Sequence, residues 1–493
     1  MTKTFEETTS AIQGSKNESL ITANQADDDS NYSSVIIIGS GISGVKCAVD
    51  LTNKNIDVRM LEAQDHVGGR LKTYRDDEGR HYDLGASWLH DTLQNELFEH
   101  AIDLGCKLYY DDGDWGWYTN QGERIPNSLK AQRVVFDAEH KIQLAYEDLT
   151  LPDKSLKEFT EEFVQTHPLI TEEQKVLAPQ MMRYLELWHA IPWDRVSAKY
   201  GIPEHFGRDA FVTSGYDKIF TSVYEQIDRT NLKLHLNSEV INISRANDKE
   251  RLYTVKTKSG ETYTSKYVLV TIPAGALKYT HQDLFAPNLL PKPLETVIHE
   301  MELAALGKFV LEFESVFWPE DLDNMVSLGN DALKSLTPGA HPLVFTNGKP
   351  LFGRNCLLAL TSPPLTHYLE ANPDKVYDFF EPALKGFRVD KSKPLPKMTF
   401  LLATDWTQNK YFRASYSALL VGQDYYNNIL PFIDGADRLR FAGEHTTHDA
   451  NGCVQGAYAT GRREAEYILA DMKGDALPYK IRESLENVNL NGK

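Results

Sequence analysis

Cysteine is scarce in this chain, at 4 residues in 493, and Cys47, Cys106, Cys356 and Cys453 are scattered along it. Their spacing fits neither a disulfide framework nor a thiolate metal site, so no metal is expected, and four unpaired thiols suit a reducing compartment such as the cytoplasm. Long apolar runs are missing too. Stretches such as Val35-Ile36-Ile37-Ile38 are strand-sized, far short of the roughly 18–20 residues of a membrane helix. The start, Met1-Thr2-Lys3-Thr4-Phe5-Glu6-Glu7, shows no cationic-then-apolar leader, and Asn491-Gly492-Lys493 is no peroxisomal tripeptide, so a soluble intracellular protein is expected. Positive charge is in deficit: 52 Lys and Arg stand against 70 Asp and Glu, a formal charge of −18. Such a field disfavours nucleic acid and anionic membranes, and it permits a cationic ligand without demanding one. Repeats and low-complexity blocks are also absent. What remains, 41% hydrophobic and 25% charged, is ordinary globular composition with length for several domains.

Between polar ends at Met1 to Tyr32 and from about Lys473 onward, both expected to be loose tails, two textures alternate. Val35–Leu61 reads strand, glycine turn, helix, strand. Asp91 to Trp193 reads as mainly helical, with amphipathic patterns over Leu156–His167 and Thr171–Trp188. Strand-like runs return at Leu232–Leu236, Leu252–Val255, Tyr267–Thr271, Lys308–Phe313 and Arg438–Gly443, before a closing helix over about Cys453–Met472. A dinucleotide-binding domain interrupted by insertions would produce this alternation.

Gly39-Ser40-Gly41-Ile42-Ser43-Gly44 follows an apolar strand and opens a helix. Gly39 serves the tight turn, Gly41 lets the backbone approach a pyrophosphate, and Gly44 allows close helix–strand packing. The helix N-terminus offers free N–H groups to phosphate. Glu62 ends the next strand about 20 residues on, suited to ribose hydroxyls and hostile to a 2′-phosphate. Val67-Gly68-Gly69-Arg70 adds a second close backbone approach and a cation for the pyrophosphate, while Gly443-Glu444-His445 adds a carboxylate after a late strand. Two such elements separated by most of the chain suit an extended flavin dinucleotide better than NAD. The closing helix would aim its N-terminus at the flavin.

With these residues the sequence resembles the flavin-containing amine oxidase family, nearest its fungal polyamine (spermine) oxidase branch. The matching stretches are Val35–Gly44, Leu61–Arg70, Asp83–Thr92, Arg183–His189, Ala305–Lys308, Asp405–Tyr416 and Arg440–Ala465. The resemblance implies an α/β fold in which a Rossmann-like FAD-binding domain, of the glutathione-reductase-like kind, is interleaved with an α+β substrate domain. FAD-binding parts are expected at 33–90, 208–285 and 409–475, with substrate-domain parts at 91–207 and 286–408 and tails at 1–32 and 476–493. It implies oxidation of a C–N bond of spermine or an acetylated polyamine by hydride transfer to flavin N5, with O₂ reduced to H₂O₂. Ser415 stands where monoamine oxidases link the flavin through cysteine, so FAD is expected to be noncovalent.

The same resemblance assigns site residues. Lys308 matches the lysine that reaches flavin N5 through a water, and His90 the active-site histidine that bonds the amine or acts as a base. Asp112 falls where the fungal enzymes place an acid for a remote ammonium, and Trp88 and Trp188 are candidate tunnel walls. Tyr416 supplies one ring above the flavin, with Cys453 at the second position and Gln455 where a tyrosine is usual. Gly85, Ala86, Ser87, Val240, Trp406 and Val454 join Ser43 and the glycines as expected FAD contacts. Departures include Gln64 for an arginine, Asn409-Lys410 and Ala414 before Tyr416, and Gly215 where the branch carries an amide. The family also contains a fungal corticosteroid-binding protein, so a flavoprotein scaffold for a hydrophobic ligand is the alternative.

Overall fold

A computed structural model describes residues 30–475, apart from 111, 149, 203–206, 248–250 and 331–334. Both expected tails therefore lie outside the described residues, except that 30–32 and 473–475 are described: Tyr32 already opens the first strand and Lys473 still closes the last helix.

That strand, Tyr32–Ile38, lies between Val58–Leu61 and Thr262–Val270 and runs parallel to both. Leu232–His235 extends the parallel set beyond Val58–Leu61. The far edge of Thr262–Val270 is divided. Its first half pairs antiparallel with Leu252–Thr257, which continues to Val240–Asn247, and its second half pairs parallel with Leu439–Phe441. Residues from the start, middle and end of the chain thus build one seven-stranded sheet among the described residues. The side-chain period of 2 sends Val35 and Ile37 to one face, against Val45 and Ala48 of the helix Ile42–Thr52. Ile36 and Ile38 go to the other, against Ala274 and Leu277 of the helix Ala274–Leu284. Burial on both faces explains why this strand reads as an unbroken apolar run.

A second, six-stranded sheet runs Met398–Ala403, Gly307–Phe313, Cys356–Thr361, Leu343–Asn347, Asn324–Ser327, Trp115–Tyr118, antiparallel until the last, parallel pair. Helices Ala131–Ala145, Leu156–Thr166 and Glu172–Met182 share one hydrophobic core with it, and Val376–Phe387 shares another.

Two expectations change here. Thr171–Trp188 is not one helix: it ends at Met182 and resumes as Leu185–His189. At the break the buried Arg183 turns its guanidinium to Glu186 Oε1 at 2.7 Å and the Asn330 carbonyl at 2.5 Å. Within the stretch read as helical, Trp115–Tyr118 is instead an edge strand, which its aromatic composition favours.

Candidate active site

One cavity of about 1120 Å³ reaches from the glycine turn of the first sheet to the inner strands of the second. It exceeds the roughly 300–1,000 Å³ of common small-molecule pockets.

At its first end, Gly39 adopts φ +105°, open to glycine and strained for other residues. Gly44 packs so closely that a Cβ there would lie 2.2 Å from the Gly39 carbonyl oxygen. Beside Gly41, by contrast, a Cβ would meet nothing within 4 Å, so this backbone faces open space. Gly41 forms a bridge with Gly68, bringing the two glycine turns together. The helix Ile42–Thr52 begins without a side-chain cap or an acidic residue in its first turn, and Ile42 and Ser43 line the cavity. Glu62 is fixed there by the Ser40 N–H at 2.8 Å, the Ser40 hydroxyl at 2.7 Å and the Gln64 N–H at 2.9 Å.

Arg70 joins the turn to the far end of the chain, donating to Glu444 Oε1 at 2.9 Å and to the Ser415 carbonyl at 2.7 Å. Burial opposes ionisation of Glu444, but Arg70 and a hydrogen bond from Ser417 together hold its carboxyl below the usual range. Cys453 precedes the closing helix Val454–Lys473, which also lacks a side-chain cap, and both Cys453 and Val454 line the cavity. Burial first, then the nearby acids, pushes the Cys453 thiol up to about 12, so it stays uncharged.

At the second end, Lys308 Nζ donates to the Asp83 carbonyl at 2.8 Å, the Gly85 carbonyl at 2.6 Å and the Ser87 hydroxyl at 2.5 Å. Burial pulls this amine down from the ordinary lysine range, against the pull of Asp83, and burial pushes Asp83 up. The ammonium also lies 5.4 Å from the Trp88 ring centre. His90 Nδ1 lies 2.8 Å from Asp209 Oδ2. Tyr416 donates its hydroxyl to the Trp188 carbonyl at 2.7 Å. Trp188, Tyr184, Trp115 and Trp117 pack as a cluster on the cavity wall, with ring centres 5.3 Å apart for Tyr184–Trp188 and 5.8 Å for Trp115–Trp117.

Across residues 42–469 the sequence matches the family described as flavin containing amine oxidoreductase. The chain belongs to that family. It is 34% identical over 483 residues to a corticosteroid-binding protein of Candida albicans, covering 91% of this chain and 98% of the other. It is 30% identical over 451 residues to polyamine oxidase 4 of Oryza sativa subsp. japonica, covering 88% of each. A relative of another kind, the protein FLOWERING LOCUS D of Arabidopsis thaliana, is 27% identical over 92% of this chain and 57% of its own length.

As a flavin-containing amine oxidoreductase, the protein takes FAD as its cofactor. The residues present fit it: a glycine cradle with open space at Gly41, two uncapped helix starts and Arg70 suit a pyrophosphate, and Glu62 suits a ribose. Gly69, Gly85, Ala86, Ser87, Val240, Trp406, Gly443 and Glu444 line the same cavity, as do Lys308, His90, Trp88, Trp188, Tyr416 and Asp112. Some of the residues singled out in the sequence stand apart from its lining. Gly44 packs behind it, Gln455 donates to Asp91 at 3.4 Å, and Gly215 backs the Arg75–Asp217 ion pair. Asp112 sits at the mouth with both oxygens held by Arg208, whose guanidinium lies 3.8 Å from the Tyr110 ring centre. Sequence reading missed Asp209, Trp115, Trp117 and Tyr184. For the aromatics a signal existed, since Trp115 and Trp117 repeat at the strand period and Tyr184 and Trp188 at the helix period.

His445, also on the cavity, supplies a pH prediction. Burial pulls its pKa down to about 4, and Nδ1 is buried without a partner among the described residues, so the folded protein keeps it neutral. A folded value below the unfolded one contributes stability that is present above about 6.5 and lost as pH falls through the folded value, about 3 kcal/mol in all. The thermal midpoint of the holoprotein should therefore fall more steeply between those limits in the wild type than in His445→Asn. Parallel curves would contradict the assignment.

Proposed function

We propose that the protein is an FAD-dependent polyamine oxidase acting on spermine or an acetylated polyamine. One observation carries this reading: a single cavity joins the phosphate-type cradle at Gly41 and Arg70 to a wall of Lys308, His90, Trp88, Trp188 and Tyr416. Bound FAD supplies the two-electron acceptor, and O₂ restores it with release of H₂O₂. The substrate loses two electrons and two protons across a C–N bond, and the resulting imine takes up water to give an aldehyde and a shorter amine.

The chain's residues hold and deprotonate the amine. The reacting nitrogen must be neutral to release its lone pair, and His90, which lines the same cavity, is the proposed acceptor of its proton. Trp188 and its aromatic neighbours give methylenes and remote ammonium groups an apolar, π-rich surface. Arg208 already neutralises Asp112 at the mouth, so an incoming cation must compete with it. Ser415 spends its hydroxyl on the Ala304 carbonyl and the Leu306 N–H, and it carries no thiol, which supports noncovalent FAD. The four cysteines are unpaired, which favours the cytoplasm as the proposed location. A second reading, a scaffold for a corticosteroid, is favoured by the 34% identity to the Candida protein and by the aromatic wall.

Anaerobic addition of spermine and N-acetylspermine to the yellow holoprotein distinguishes them. Loss of the flavin colour within seconds is the expected result. A flavin that stays yellow with both amines, yet shows a saturable spectral change with corticosterone, would favour the scaffold.

A further inference from the structure

We infer that Asp209 is the positioning residue for His90, fixing which ring nitrogen meets the substrate; the inference builds on the oxidase reading. The placement follows from strand register. Trp88–Leu89 and Ala210–Val212 are antiparallel, with Trp88 opposite Phe211 and Leu89 opposite Ala210. His90 and Asp209 are therefore the next facing residues, just where the ladder ends and side chains turn to the cavity both of them line. Asp209 spans two groups of the opposite segment, with Oδ2 2.8 Å from His90 Nδ1 and Oδ1 accepting the Asp91 N–H at 3.2 Å. The backbone beneath the ring is pinned as well, since Asn95 donates to the His90 carbonyl at 2.8 Å while its own oxygen caps the helix Glu96–Asp103.

The chemistry follows from one hydrogen bond. A carboxylate only accepts, so Nδ1 must carry the proton, and the lone pair of the neutral ring lies on Nε2. Nε2 is then the acceptor offered to an amine N–H, and the imidazolium formed on transfer is held beside a carboxylate. The His90 and Asp209 side chains are 37% and 26% exposed, and pairs this accessible add little to stability. The contact serves orientation.

Asp209→Ala and Asp209→Asn holoproteins test this against wild type by stopped flow, following anaerobic flavin bleaching by spermine and then recolouring with O₂. Asp209→Ala should bleach about 10–100-fold more slowly, the usual effect of losing a residue that orients a histidine. Its FAD content and recolouring rate should stay within roughly twofold of wild type, because only the amine half-reaction uses His90. Asp209→Asn retains an acceptor oxygen and should recover most of the loss. In a His90→Ala background, adding Asp209→Ala should slow bleaching no further. Unchanged bleaching in Asp209→Ala, or equal slowing of both phases, overturns the proposal. Nitrogen NMR of ¹⁵N-histidine holoprotein, with His90 assigned from a His90→Gln variant, gives a readout without substrate. Protonation at Nδ1 in wild type, lost in Asp209→Ala, is expected, and a wild-type proton on Nε2 refutes the proposal. If spermine fails to bleach the wild type, the oxidase reading falls and this spectrum alone decides the role of Asp209.

Discussion

Replacing Arg70 by alanine is expected to strip the protein of most of its FAD and to lower its stability by about 3–5 kcal/mol, the usual effect of removing one partner from a buried ion pair. Glu444 is 3% exposed and depends on Arg70 for a charge-assisted bond; without it the carboxylate keeps, among the described residues, the hydrogen bonds from Ser417. Arg70 also ties the turn after Gly69 to the Ser415 carbonyl, so its loss separates two parts of one wall. The lost charge facing a pyrophosphate adds an independent effect on the cofactor, about 10–100-fold in affinity for a charge-assisted hydrogen bond. Equilibrium dialysis and thermal melts of apo and holo forms measure the two separately. In Arg70→Lys the cation remains while the reach to two acceptors changes, so it should regain much of the cofactor affinity and less of the apo stability. An alanine variant that keeps FAD through dialysis would show that Arg70 serves Glu444 alone.

The cofactor half was legible because its chemistry is local. A strand, three glycines and a helix all lie within residues 32–52, and each glycine has a separate geometric reason visible in the pattern. Even the division of labour holds, with Gly44 behind the turn and Gly41 at the open surface. The joining of Gly69-Arg70 to Gly443-Glu444 was readable only as two elements suited to one ligand. The ion pair that unites them comes from the return of Leu439–Phe441 to the first sheet, beside Thr262–Val270.

The substrate half was less legible, and the reason is register. Asp209 belongs to no motif, and it meets His90 only because two short strands pair across a long sequence separation. Lys308 was recognised from its motif, yet its strand Gly307–Phe313 is buried at every position, including Glu312, so simple alternation describes it poorly. Asp112 reads as an acid awaiting a cation until Arg208, far along the chain, is folded against it. Gln455 shares the closing helix with Val454 but turns to Asp91 instead of the cavity.

Lys308→Met separates structure from chemistry at the most deeply buried cation of the site. The lost hydrogen bonds to Asp83, Gly85 and Ser87 are charge-assisted, about 1.5–3 kcal/mol each. Against them stands the desolvation of a fully enclosed ammonium, itself several kcal/mol, which methionine removes while filling similar volume. Burial pulls the lysine down and the carboxylate of Asp83 opposes it, so the native amine sits between these forces instead of simply stabilising the fold. The terms nearly cancel, and the variant should fold, stay yellow and melt within a few degrees of wild type. On the proposed oxidase reading, the remaining loss is a positive charge beside the step in which O₂ takes up electrons, and removing such a preorganised group slows a charged step by about 100-fold or more. Anaerobic bleaching by spermine should thus stay near wild type while recolouring with O₂ slows by that factor. Lys308→Ala controls for volume: it should slow recolouring equally but melt lower, because a cavity then replaces the side chain. Normal recolouring in the methionine variant would mean that Lys308 braces the Asp83–Ser87 loop and contributes nothing to the oxygen step.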